Sequence, residues 1–293
     1  MEIADGVHLI LNPHRDYFVS TCLIVNEGLT IIDAGRPESP EASIYPYIRR
    51  LGRDPSEISL VVLTHAHWDH CGGVARLKES SDCRVAVHES GRAYLEEPGL
   101  IEMELAERFP ELPAEDMGFD AVKADLVFRD GDNLELDNSS LNVVSTPGHS
   151  ACSSCIVDEG QGVFVAGDSV QGRGENRPLL FHDAGAYLES MNRLLESPIQ
   201  TMVNGHPFPP SGKAVLRGEQ VREHIMESIV AIGELRKAVE GALGRLKEPV
   251  SVAQVHREVN TARFYTVGCI LEVLEAEGRS RRVERGDELL WTA

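Results

Sequence analysis

Basic residues are scarce in this chain: 28 lysines and arginines stand against 47 aspartates and glutamates, a formal charge of −19. A surface of that sign repels phosphate backbones at long range and disfavours nucleic acid as a partner, unless a cleft is locally basic. Cysteine is sparse as well, with six scattered over 293 residues. That is not the framework of a small disulfide-stapled secreted domain, and it suits a reducing compartment. No uninterrupted apolar run approaches a membrane span. The first six residues, Met1-Glu2-Ile3-Ala4-Asp5-Gly6, are acidic and lack the basic-then-apolar layout of a leader. Repeats and low-complexity tracts are missing too. The expectation is a cytoplasmic chain with no membrane association, whose 42% hydrophobic content supplies ample core.

What the sequence does have is Thr64-His65-Ala66-His67-Trp68-Asp69-His70, followed by Cys71-Gly72-Gly73. Three imidazoles and a carboxylate fall within six residues, directly after the apolar run Ile58-Ser59-Leu60-Val61-Val62-Leu63. Short, β-branched and bounded by a turn signal, that run reads as a buried strand. It delivers metal ligands at its carboxyl end. Imidazole and carboxylate suit zinc, iron or manganese at neutral pH.

The same pattern recurs along the chain. Thr30-Ile31-Ile32 ends in Asp33-Ala34-Gly35, where Asp33 taken alone could be a simple turn residue. Leu141-Asn142-Val143-Val144 leads to Thr146-Pro147-Gly148-His149. Val163-Phe164-Val165-Ala166 delivers Gly167-Asp168, and Thr201-Met202-Val203 delivers Asn204-Gly205-His206. Polar residues that close apolar strands are expected where an α/β sheet presents ligands from one edge. Between these strands, helices are expected over residues 40–51 and 184–196, with a helical excursion over residues 99–116 that could act as a lid.

From Val215 to about Leu246 apolar residues recur at helical spacing (Val221, Ile225, Ile229, Ile232, Leu235). A break at Lys247-Glu248-Pro249 follows, then a helix over 252–259, another over 267–277, and two strands around Arg285-Gly286-Asp287. Helix, helix and hairpin is the outline of a winged-helix module. We therefore divide the chain into a catalytic domain at 1–214 and a long helix with a winged-helix-like domain at 215–293.

Asp33, His65-x-His67-x-Asp69-His70, His149, Asp168 and His206, in this order, resemble the metallo-β-lactamase superfamily over roughly the first 210 residues. The tail resembles, more loosely, the extension of a lactamase-like subgroup that includes endoribonucleases. The resemblance implies an α/β fold, an αββα sandwich with the small helical, winged-helix-like domain appended. It also implies two divalent metal ions, zinc first, with iron or manganese as alternatives. His65, His67 and His149 would hold one, Asp69, His70 and His206 the other, and Asp168 would bridge them. Asp33 would orient a ligand histidine. The reaction implied is attack of a metal-bridged hydroxide on a small-molecule ester, thioester or lactone carbonyl, with Asp69 steering the nucleophile or relaying a proton. The alternative is a phosphodiester, as in the endoribonucleases.

Other candidates are weighed against ordinary roles. The loop Gly172-Arg173-Gly174-Glu175-Asn176-Arg177 leaves the Asp168 turn, so Arg173, Arg177 and His182 could reach substrate, with a flexible surface loop an equal reading for the arginines; His182 is placed at the cleft mouth. Cys152-Ser153-Ser154-Cys155 has the spacing of a redox or zinc pair, yet no second pair exists, and both are read as strand or core cysteines. Cys71 reads as packing, and so does Tyr187. His88 is read as a surface or ligand-supporting residue. Arg279, Arg281, Arg282 and Arg285 gather on the tail hairpin among Glu275, Glu277, Glu284, Asp287 and Glu288, a mixed-charge surface more than a phosphate track. A small-molecule substrate is the expected partner, and self-association stays open.

Overall fold

The computed structural model describes residues 1–113, 118–285 and 288–293. The end of the excursion over 99–116 and the hairpin turn at 286–287 lie outside the described residues.

Seven strands form the first sheet in sequence order: β1 Glu2–Ala4, β2 Val7–His14, β3 Tyr17–Val25, β4 Leu29–Ile32, β5 Ile58–Val62, β6 Arg84–His88 and β7 Leu126–Phe128. Pairing is antiparallel through β4 and parallel from β4 to β7. The second sheet holds β8 Asn133–Glu135, β9 Ser140–Ser145, β10 Ser154–Asp158, β11 Val163–Gly167, β12 Thr201–Asn204 and β13 Val215–Arg217. There β11 and β12 run parallel, the other neighbours antiparallel.

The two-residue period of a strand sorts side chains between layers. Cys22, Ile24, Ile32, Leu60, Val62 and Ala86 of the first sheet meet Leu141, Val143, Ile156, Val165 and Val203 of the second in one buried layer. Their neighbours Leu23, Ile31, Val61 and Val85 point the other way. They pack beneath α1 (Tyr45–Arg50) and α3 (Val74–Ser81), with Ile48, Val74 and Leu77. The short α2 (Trp68–Cys71) precedes α3, and α4 (Arg92–Glu96) and α5 (Leu100–Arg108) follow it. On the far side of the second sheet lie α6 (Ala184–Glu196), α7 (Glu219–Leu246), α8 (Val252–Val259) and α9 (Phe264–Ala276). The layers are helix, sheet, sheet, helix, as expected from the sequence.

The expected helix from Val215 begins later. Val215–Arg217 is the edge strand β13, paired to β12, and Gly218 turns the chain at φ +55 into α7. Three β-favouring positions next to an unpaired strand edge outweigh a helical period that only starts at Val221. Nor do α7 to α9 stand apart from the sheets. Met202 and Leu216 share one cluster with Met191, Ile225, Val239, Val255, Leu271 and Trp291, so apolar packing is continuous across residue 214. A hairpin of β14 (Arg281–Arg285) and β15 (Glu288–Thr292) closes the chain. Arg279 pairs with Glu240, and Arg282 with Glu272 and Glu275.

Candidate metal centre

The carboxyl ends of β4, β5, β9, β11 and β12 converge on one place. There the structure brings together all seven expected ligands. Ligand atoms of His65, His67 and His149 lie within 4.8 Å of one another, as do those of His65, His70 and Asp168, and those of Asp69, His70 and His206. Asp168 contacts both sides, with Oδ1 3.3 Å from His70 Nε2 and Oδ2 3.7 Å from His149 Nε2 and 3.4 Å from His206 Nε2.

Hydrogen bonds around the site fix which nitrogen each ring presents. His70 donates Nδ1–H to Asp33 at 2.7 Å, His149 to the Leu179 carbonyl at 2.8 Å, and His206 to the Phe18 carbonyl at 3.0 Å. Thr64 gives its hydroxyl proton to Asp33 at 2.7 Å, so its oxygen accepts from His65 Nδ1 at 3.0 Å. The Nε2 lone pairs of His65, His70, His149 and His206 are therefore turned inward. His70 and His206 face each other with Nε2 atoms 3.3 Å apart, and His149 Nε2 stands 2.8 Å from His67 Nδ1. The opposed lone pairs of His70 and His206 repel unless a cation lies between them. His65 Nε2 and Asp168 Oδ1 are buried and have no hydrogen-bond partner. Orphaned acceptors are costly in an interior, and a bound cation satisfies them. The donor set fits divalent metal.

The crowded donors also shift one another's charge states. Burial, then crowding by neighbouring imidazoles, drives the His65 pKa well below its ordinary value and brings His67 down to about 3. Burial works against charging His70, yet Asp33 and Asp168 hold its pKa above the usual range. Burial pushes the Asp69 and Asp168 carboxyls up, but His70 and His206 overcome it and keep both well below the usual carboxylate range.

Backbone geometry explains the local glycine and aspartate. A Cβ on Gly205 would stand 2.4 Å from Asp168 Oδ1 and 2.8 Å from His70 Cε1, so only glycine fits beside the ligands. Asp33 adopts φ +60 in the left-handed region. Its carboxylate offsets that strain by accepting from Thr64 N–H, the Thr64 hydroxyl and His70. Asp33 is no simple turn residue: it is 1% exposed and supports ligands of both metal groups.

The site opens into a cleft of ≈ 380 Å³ lined by Tyr17, Trp68, Asp69, Phe181, Phe208 and the arginines Arg177 and Arg263. Arg263 escaped the sequence reading, because it belongs to the distant tail; only folding brings the start of α9 to this mouth. Gln171, fully buried, was also missed. It accepts from Leu179 N–H at 2.8 Å and donates to the Leu179 and Asp168 carbonyls at 3.0 and 3.1 Å, bracing the chain that carries His149's acceptor.

Two candidates for substrate contact do not line the ligand cleft itself. Arg173 turns outward to Glu234 on α7 at 2.7 Å. His182 lines a smaller cavity with His67, Tyr94, Arg108, Cys152 and Phe181, and since His67 and Phe181 also line the ligand cleft, His182 stands beside the cleft and not in it. His88 is buried against Phe128, its Nδ1 accepting from Ser90 N–H at 3.2 Å, away from the ligands. All six cysteines are free and buried.

The sequence pattern of the Metallo-beta-lactamase superfamily matches residues 14–206. A hydroxyacylglutathione hydrolase from Rhodopseudomonas palustris is 29% identical over 155 residues, covering 50% of this chain and 49% of that protein. An acyl-coenzyme A thioesterase from Bos taurus is 30% identical over 145 residues, covering 47% of this chain and 50% of that protein. The chain thus spans about half the length of these curated relatives. Among solved structures, a metallo-beta-lactamase family protein from Thermus thermophilus superposes with a TM-score of 0.77 at 22% identity, covering 99% of each chain. No helix among the described residues is long and apolar enough to cross a membrane.

Proposed function

Because the chain belongs to the metallo-beta-lactamase superfamily, we propose that it is a dinuclear metal-dependent hydrolase of small-molecule thioesters, esters or lactones. The observation that carries this is the paired, inward-turned ring nitrogens around the unsatisfied Asp168 Oδ1. Thioesters come first because two relatives are named for cleaving them.

His65, His67 and His149 would hold one divalent ion and Asp69, His70 and His206 the other, with Asp168 between them. Two such ions supply Lewis acidity and a water acidified toward neutral pH. The chain's own residues do the rest. Asp33 keeps His70, and through Thr64 His65, in the tautomer that presents Nε2. Asp69, the more exposed of the two ligand carboxylates, has Oδ2 3.2 Å from His206 Nε2. Its second oxygen steers the attacking water and takes up a proton for the leaving group. Trp68, Phe181 and Phe208 wall the cleft with apolar surface and exclude bulk water from the acyl carbon.

Zinc is proposed for both positions, with iron and manganese compatible with the same mixed donors. The acidic surface and the ion-paired arginines of the tail favour a small substrate over RNA. The test is turnover of S-lactoylglutathione, acetyl-coenzyme A, a simple lactone and a short RNA, side by side on the full chain. Turnover of at least one acyl substrate with slow or absent RNA cleavage is expected. Efficient, salt-sensitive RNA cleavage without acyl turnover would overturn the proposal.

A further inference from the structure

Many arginines on this chain sit against a carboxylate, among them Arg53, Arg92, Arg108, Arg129, Arg173 and Arg193. Arg177 and Arg263 differ. Both line the ligand cleft, and neither has an ion pair among the described residues. They reach it from opposite parts of the sequence, Arg177 from the loop after Asp168 and Arg263 from the turn before α9.

Arg177 is also held in place. Its guanidinium lies over the Phe208 ring, 5.1 Å from the centroid, and its Nη1 is 3.5 Å from Gln171 Oε1. Stacking on an aromatic face fixes the plane and leaves the edge donors available. Among the described residues, the only carboxylates lining the same cleft, Asp69 and Asp168, belong to the ligand set. Two guanidinium groups share the cleft, and each repels the other. An anion entering between them offsets that repulsion, and guanidinium forks match carboxylate and phosphate geometry.

We propose that Arg177 and Arg263 form an anion-reading subsite at the cleft mouth, which selects substrates whose leaving thiol carries a carboxylate or a phosphate. The subsite rests on the hydrolase reading for its biological use, though its binding can be measured without turnover. Two side chains suit one small anionic group and make no track for a polyanion.

The experiment compares three thiols of graded charge. Coenzyme A carries phosphates, glutathione carboxylates, and pantetheine neither. Binding of each is measured by calorimetry, and hydrolysis of each S-acetyl derivative is followed, on the full chain and on Arg177→Gln, Arg263→Gln and the double variant. Arg173→Gln, the same charge change on an arginine outside the cleft, is the control. The expected result is at least tenfold tighter binding of coenzyme A or glutathione than of pantetheine. Each cleft variant should lose about tenfold of that preference, through KM more than kcat. Which charged thiol responds distinguishes phosphate from carboxylate. Equal binding of all three thiols, an equal loss in Arg173→Gln, or a loss shared by pantetheine would overturn the subsite. Failure to hydrolyse any derivative while the binding preference persists would count against the hydrolase reading and leave the subsite supported.

Discussion

Asp33 Oδ2 accepts the Nδ1–H of His70 at 2.7 Å and the Thr64 hydroxyl, also at 2.7 Å, while Thr64 in turn receives His65 Nδ1. One carboxylate, itself outside the ligand groups, thus sets the ring nitrogen that two ligands present. Asp33→Asn keeps the shape but turns an acceptor into a donor toward one partner. It should cost about 10–100-fold in metal affinity or turnover. Titrating the metal-free protein with zinc, with circular dichroism as the fold control, checks this. Unchanged affinity in a folded variant would remove Asp33 from the site.

Gly205→Ala should impair metal binding more than folding. The added methyl would press on Asp168 Oδ1 at 2.4 Å and His70 Cε1 at 2.8 Å. A drop in bound metal of at least tenfold, with the urea midpoint of the metal-free protein little changed, is expected. Full metal content would mean that the Asp168 turn yields more easily than its burial implies.

Much of this centre was legible because each ligand closes an apolar strand, and a strand's carboxyl end is a position that sequence can name. The order of Asp33, His65, His67, Asp69, His70, His149, Asp168 and His206 along the chain already outlined the site. Arg263 was not legible, since 57 residues separate it from His206 in the numbering and nothing local marks it as facing the cleft. Arg173 could not be decided from sequence, since nearness to Asp168 said nothing of the carboxylates waiting on α7. The β13 strand was hidden by its own residues, since Val215 and Leu216 are apolar and precede a long helix, and pairing with β12 decided between the two.

Phe109 tests whether the tail is part of the same core. Its ring is 1% exposed and lies so close to Gly268 that a Cβ there would meet it at 2.5 Å. Phe109→Ala should lower stability by about 3–5 kcal/mol, read as a fall in urea midpoint in one cooperative transition. A separate early transition confined to the tail would show that the tail unfolds independently.

His224, buried on α7 with Nε2 3.5 Å from Asn204 Nδ2, has its pKa pushed down to about 4 by desolvation. A histidine depressed below its unfolded value of about 6.5 binds its proton in the unfolded chain first. Stability from this group is therefore complete above about pH 6.5 and declines as pH falls toward 4, by roughly 2 kcal/mol at pH 5. Urea midpoints at pH 7 and 5 should differ less in His224→Leu than in the parent. An equal or larger difference in the variant would contradict the assignment.

The most direct measurement is the metal content of the full chain purified without chelator, determined by elemental analysis beside the turnover of the same sample. Close to two equivalents per chain are expected, falling to one or fewer in Asp168→Ala together with loss of turnover. A parent protein that turns over an acyl substrate at full rate with one equivalent or none would contradict a dinuclear centre bridged by Asp168.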